Sequence, residues 1–161
     1  MATDDVTYGV PRIAAAAGAM IFDRSGRLLI LKPSYKPKWT IPGGQIEADG
    51  ESPWEACRRE TLEECGLHVE HGRLICVDFR RPRPDPYQPG GMRFLFHCGV
   101  FDDDELSTIE VQGDEILEYR FVELEEAFSR LSGPLRRRVR VGAGRKRCVY
   151  LEEGRRVDGA R

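Results

Sequence analysis

Residues 39–67 read "WTIPGGQIEADGESPWEACRRETLEECGL". The stretch joins two adjacent glycines to a sharply bounded helix and carries seven acidic side chains. Ser52 is a good N-cap, Pro53 suits the first helical position, and Glu55 completes a Ser-x-x-Glu capping box. Gly66 is a natural stop. Within the helix, Trp54, Cys57, Thr61 and Cys65 form a mildly apolar stripe.

Helical geometry puts Glu60 and Glu64 one turn apart on one face, with Glu63 beside them. Like charges at this spacing repel by about 0.2–0.5 kcal/mol per pair, so something should offset the repulsion. A hard divalent cation, which prefers oxygen ligands, would do so. The plainer reading is a solvated charged face in which Arg59 pairs with Glu55 and Glu63. Against it stand Gly43 and Gly44, where bare backbone can closely approach a ligand or metal. Glu51, an acid placed to complement the helix dipole with Arg59 two turns along, also argues against it.

Working outward, residues 1–11 read as a loose leader and residues 155–161 as a flexible tail, with a single domain over 12–154. "IAAAAGAMIF" (13–22) and "RLLILK" (27–32) read as a hairpin turned at "DRSG". After the helix, 67–80 reads as extended, 81–91 as a Pro- and Gly-rich loop, and 92–101 as a strand. A strand at "EYRFVE", a helix near 124–131, a basic run at 134–147 and a last strand at 148–154 follow. Strands flanking a central helix, with a second helix near the C-terminus, imply an α/β sandwich with a mixed sheet.

The stretch resembles the Nudix hydrolases, whose signature is G-x5-E-x7-R-E-U-x-E-E-x-G-U with U aliphatic. Glu51, seven residues, and then Arg59-Glu60-Thr61-Leu62-Glu63-Glu64-Cys65-Gly66-Leu67 match its second half. Thr61 replaces an aliphatic residue, with a methyl that can still pack inward. Six residues rather than five separate Gly44 from Glu51, the extra one lying in "EADGE".

The resemblance implies a Nudix-type α/β/α sandwich and hydrolysis of a nucleoside diphosphate linked to another moiety. The nucleoside triphosphate, ADP-ribose and nucleotide sugar types all fit. It implies Mg²⁺, or Mn²⁺ in its place, with Glu60, Glu63 and Glu64 as ligands and the Gly44 carbonyl assisting. Glu51 and Arg59 would orient the acids through a salt bridge. The general base stays open between a box glutamate and an acid from a later loop. Glu115 is the best outside choice, in an acidic segment just ahead of a strand, with Asp114 beside it.

Weaker substrate contacts are Lys32, at the end of the second strand, Gly43, and Arg80, Arg81 and Arg93 around the Pro-rich loop. Tyr35, Phe79 and Tyr87 could stack on a base. His68, His71 and His97 lack metal-ligand spacing with cysteine and read as structural. The basic cluster at 136–147 lacks interleaved aromatics, so nucleic acid is disfavoured and a surface or homodimer role preferred.

Three rival functions come with the same fold. A diphosphate isomerase would want a catalytic Cys and a His-rich metal site. A non-catalytic Nudix-like nucleotide sensor would typically lack box glutamates. An RNA 5′-end processing hydrolase would need a basic path to the site.

Composition sets outer limits. The 161 residues suffice for one domain with a real core, and a net charge of -2 gives no global pull toward nucleic acid or membrane. No apolar run approaches the roughly 20 residues of a membrane span. Five cysteines without a CxxC pair suggest reduced thiols in a cytoplasm.

Overall fold

The computed structural model describes residues 11–84 and 86–160. All but the last residue of the expected leader 1–11 lies outside the described residues. The elements in chain order are β1 (Ala15–Phe22), β2 (Leu28–Pro33), β3 (Gly43–Gln45), α1 (Pro53–Cys65) and β4 (Arg73–Arg80). The two-residue strands β5 (Arg83–Pro84) and β6 (Tyr87–Gln88) follow, then β7 (Gly91–Val100) and the one-turn α2 (Asp103–Leu106). The chain ends with β8 (Ile116–Val122), α3 (Leu124–Arg130), α4 (Gly133–Gly142) and β9 (Val149–Glu152).

A mixed sheet with strand order β8-β2-β1-β7-β4-β9 forms the centre, and β3 adds to β1. β1 runs parallel to β7 and β4 parallel to β9, while the β1–β2, β1–β3, β2–β8 and β4–β7 pairs are antiparallel. Side chains alternate across each strand, so the sheet buries both faces. On one face Met20, Leu28, Ile30, Leu95 and Leu151 meet Phe128, Leu135 and Val139 of α3 and α4. On the other, Ala17, Ala19, Ile21, Leu29, Leu31 and Phe96 meet Ala56, Cys57 and Cys65 of α1. The result is an α/β/α sandwich.

The helix boundaries of α1 follow its local chemistry. Ser52 accepts from the Glu55 N–H at 3.2 Å, and Glu55 accepts from the Ser52 N–H at 2.8 Å. Gly66, at φ 73°, closes the helix by donating to Leu62. Thr61 is fully buried and satisfies its hydroxyl by donating 2.7 Å to the Cys57 carbonyl. A threonine therefore fits the aliphatic position without an orphaned polar group.

Several expectations are corrected by tertiary packing. The basic run at 134–147 is mostly helix α4, and its Arg138 is buried rather than part of a free surface. Arg138 pairs at 2.8 Å with Asp78, which is fully buried and also accepts from the Gly154 N–H at 2.8 Å. His68 and His71 are exposed in the connection before β4, not on a strand. The 81–91 loop contains the small β5–β6 ladder, which lets it fold back on itself. Ordered pairing runs past residue 154, because Arg155 bridges to Glu152. No helix among the described residues is long and apolar enough to cross a membrane.

Candidate active site

Arg59 is the hub of the acidic helix face. Its Nε and Nη2 grip Glu51 at 2.7 and 3.0 Å, and Nη2 also donates 3.0 Å to the Gln45 carbonyl. Nη1 reaches Glu60 at 2.9 Å and Glu63 at 3.1 Å. These bonds raise the Arg59 pKa, Glu51's most of all, and the Arg59 bond in turn lowers that of Glu51. Glu55 is not Arg59's partner, because the capping box occupies it.

The extra residue before Glu51 is absorbed locally. Gly50 takes a φ of 96°, the Glu51 N–H donates 3.1 Å to Asp49, and the Glu47 N–H donates 2.9 Å to the Glu51 carboxylate. Glu51 thus still reaches Arg59, and the helix register is untouched.

Glu64 is buried beneath this network. It accepts from the Gly43 N–H at 2.8 Å. Burial pushes its pKa up to about 8, against the pull of that bond, and Glu60 and Glu115 push the same way. Glu60 is also raised, first by desolvation, with Arg59 opposing and Glu63 and Glu115 adding repulsion. Gly44 lies so close that an added Cβ would fall on the Glu60 carboxylate. Gly43, at φ 150°, has no room for a side chain, since a Cβ there would strike the Ala17 carbonyl. The two glycines thus bring bare backbone against the two acids.

Glu63 stands apart from this pair. Its side chain is 59% exposed and leans toward Arg59. With Glu64, Asp114 and Glu115 it lines an acidic depression. Glu115 is exposed, and its backbone carbonyl is anchored by the Ser34 N–H at 2.8 Å.

A cleft of about 240 Å³ opens on the α4 side of the sheet, lined in part by Gly43, Gly44, Lys36, Arg80, Arg93 and Arg138. Arg80 and Arg93 therefore share a cavity with the glycines. Lys32 does not line it; its ammonium is held by the Lys36 and Pro37 carbonyls at 3.2 and 2.7 Å. Tyr87 is 79% exposed, and Phe79 lies under the Arg81 guanidinium at 5.8 Å.

Residues 12–140 match the NUDIX domain family. The chain belongs to the Nudix family. Among its curated relatives is a putative 8-oxo-dGTP diphosphatase of Bacillus subtilis, 36% identical over 67 residues, which are 42% of this chain and 44% of that one. An RNA pyrophosphohydrolase of Psychromonas ingrahamii is 28% identical over 109 residues, 60% of each chain. The matches thus span 44% and 60% of these relatives' own length. A solved MutT protein from Methanosarcina mazei superposes with a TM-score of 0.63 at 25% identity, over 76% of this chain and 87% of that one.

The Nudix box chemistry suits the divalent cation that the family implies. Its donors are all oxygens, and among the described residues buried Glu64 has only a backbone N–H as hydrogen-bond partner. Among the described residues, no three or more His, Cys, Asp or Glu side chains are gathered into a metal-binding cluster. Two carboxylates suffice for Mg²⁺, which retains waters and binds substrate phosphates. Glu60 and Glu64, with the Gly44 backbone beside them, are the residues that would hold it.

Two contributors to this Nudix site escape a reading of the sequence. Lys36 sits in an unremarkable loop, yet it lines the cleft and its charge acts on Glu64. Arg138 is one arginine among many in its segment. Its only sequence signal is helical spacing that sets it beside Leu135 and Val139 on the buried side of α4.

Proposed function

We propose that the protein is a Mg²⁺-dependent pyrophosphohydrolase, with Mn²⁺ able to substitute, acting on a nucleoside diphosphate linked to another moiety. The observation that best supports this reading is the placement of Glu60 and Glu64 against the bare backbone of Gly43 and Gly44, at the edge of a basic cleft. When bound, the cation supplies charge neutralisation for the diphosphate and a lowered pKa for the attacking water.

The chain's own residues supply the rest. Glu60 and Glu64 hold the cation side of the site. Arg59 locks Glu60 in place and, through Glu51, ties the helix to the preceding loop. Glu115, on the acidic rim, takes the proton as water attacks phosphorus and the bridging P–O bond of the diphosphate breaks, leaving two phosphorylated fragments. The cleft receives part of the group linked to the diphosphate. The sensor alternative is disfavoured because Glu51, Glu60, Glu63 and Glu64 are all present. Five free thiols suit a reducing cytoplasm.

The test is Glu64→Gln. Gln can still accept the Gly43 N–H, so the fold should survive while Mg²⁺-dependent release of nucleoside monophosphate from nucleoside diphosphate derivatives disappears. Undiminished release would remove Glu64 from the reaction.

A further inference from the structure

The basic cleft holds more positive charge than its own acids neutralise. β4 and β7 pair with Asp78 opposite Arg93, and Arg80 follows two residues along on the same face. Arg138 enters from α4. Each oxygen of Asp78 already accepts a hydrogen bond, one from Arg138 and one from the Gly154 N–H. Glu153 is shared: it accepts from the Arg81 N–H at 2.7 Å and pairs with Arg83 at 3.4 Å, leaving Arg80 Nε at 3.7 Å. That Nε is buried and has no hydrogen-bond partner among the described residues.

Arg93 is half-buried and spends two donors on the neutral carbonyls of Met92 and Gly90, both at 3.0 Å. It makes no ion pair among the described residues. Burial lowers its pKa, Arg138 and Arg80 lower it further by repulsion, and attraction to Asp78 opposes them. A half-buried guanidinium without a direct ion pair is costly. Arginine forks match the oxygens of phosphate and carboxylate.

We propose that Arg80 and Arg93 bind a second anionic group of the substrate, a phosphate or carboxylate outside the scissile diphosphate. The inference rests on the pyrophosphohydrolase reading and narrows its substrate class. The cleft is lined by Gly43 and Gly44 as well as by these arginines, and the same two glycines abut Glu64 and Glu60. At about 240 Å³ it is smaller than the roughly 300–1,000 Å³ of sites that enclose drug-sized ligands. That size suits an anionic substituent or a sugar acid.

Two matched pairs test the proposal and distinguish the sources of charge. NADP⁺ against NAD⁺ differs by a phosphate, and UDP-glucuronate against UDP-glucose differs by a carboxylate. Affinities are measured by calorimetry in EDTA, where no metal-dependent turnover occurs, and KM values with Mg²⁺. The anion-bearing member of at least one pair should bind roughly tenfold tighter, as expected for one charge-assisted hydrogen bond. Arg93→Gln should bring that ratio close to one, and Arg93→Lys should keep most of it. Ratios near one for both pairs, or a ratio unmoved by Arg93→Gln, would overturn the proposal. Hydrolysis without discrimination overturns this inference alone. Discrimination in binding with no hydrolysis of any compound supports it and sinks the hydrolase reading instead.

Discussion

Gly44 and Glu60 are in contact through an absence: a Cβ on residue 44 would occupy the space of the Glu60 carboxylate. The residue at 44 is not at positive φ, so alanine is compatible with the backbone. The atom it displaces is the far end of a flexible side chain. Gly44→Ala should therefore leave the melting temperature within a few degrees while moving Glu60 off its position. A 1 Å displacement of a catalytic group can cost about 100-fold in rate. Steady-state kinetics beside a thermal melt checks this; unchanged kcat with an intact fold would mean that Glu60's position does not matter.

Glu115 gives a prediction about proton transfer. Its backbone is held by Ser34 whatever the side chain, so Glu115→Gln should fold normally. A lost general base typically costs about 10²–10⁴ in rate. Turnover should fall within that range with KM changed little. An unchanged kcat would assign the base to a Nudix-box glutamate.

How well sequence pattern anticipated the structure depended on whether the determining contact was local. The caps of α1, the turn before β2 and the Glu51–Arg59 pair all lie within a few turns of their partners, and each was anticipated. The charge of "RRRVR" hid α4, because the side chain that makes Arg138 a buried residue is Asp78, sixty positions away in the chain. Arg80 and Arg93 share a cleft only through the β4–β7 register, which includes a shift between Leu74 and Cys76 that no periodicity announces. Lys32 lies one residue before the end of β2, and the carbonyls of the following loop capture its ammonium. Helical spacing alone put Glu60, Glu63 and Glu64 together, but among the described residues no three acids gather into a metal-binding cluster. The division of Glu63 toward Arg59 and Glu64 toward Gly43 depended on the fold of the glycine loop.

The Asp78–Arg138 pair predicts a stability asymmetry. Arg138→Ala leaves a fully buried carboxylate with only the Gly154 N–H, and breaking a buried pair in this way costs about 3–5 kcal/mol. Replacing both partners by neutral groups of similar volume, Asp78→Asn with Arg138→Met, should recover most of that loss. Urea denaturation of Asp78→Asn, of Arg138→Met and of the double variant measures the coupling. Additive losses would show that the two side chains do not act as a pair.

His97 predicts how stability varies with pH. The ring stacks on Phe22 at 5.0 Å and its Nδ1 accepts from the Gly99 N–H at 3.2 Å, a bond that protonation at Nδ1 would remove. Burial, with Arg73 adding repulsion, lowers its pKa below the ordinary 6.5. Between that lowered value and 6.5 the unfolded chain binds more protons than the folded one, so this contribution to stability is complete above 6.5 and declines as pH falls below it. His97→Asn keeps an acceptor for Gly99 and removes the titration. Raised Glu64 acts in the opposite sense over an overlapping range, but it is common to both proteins and cancels in their difference. The urea midpoint of the wild type relative to that of His97→Asn should therefore decline as pH is lowered from 7.5 to about 5. Parallel curves would show that His97 titrates alike in the folded and unfolded chains.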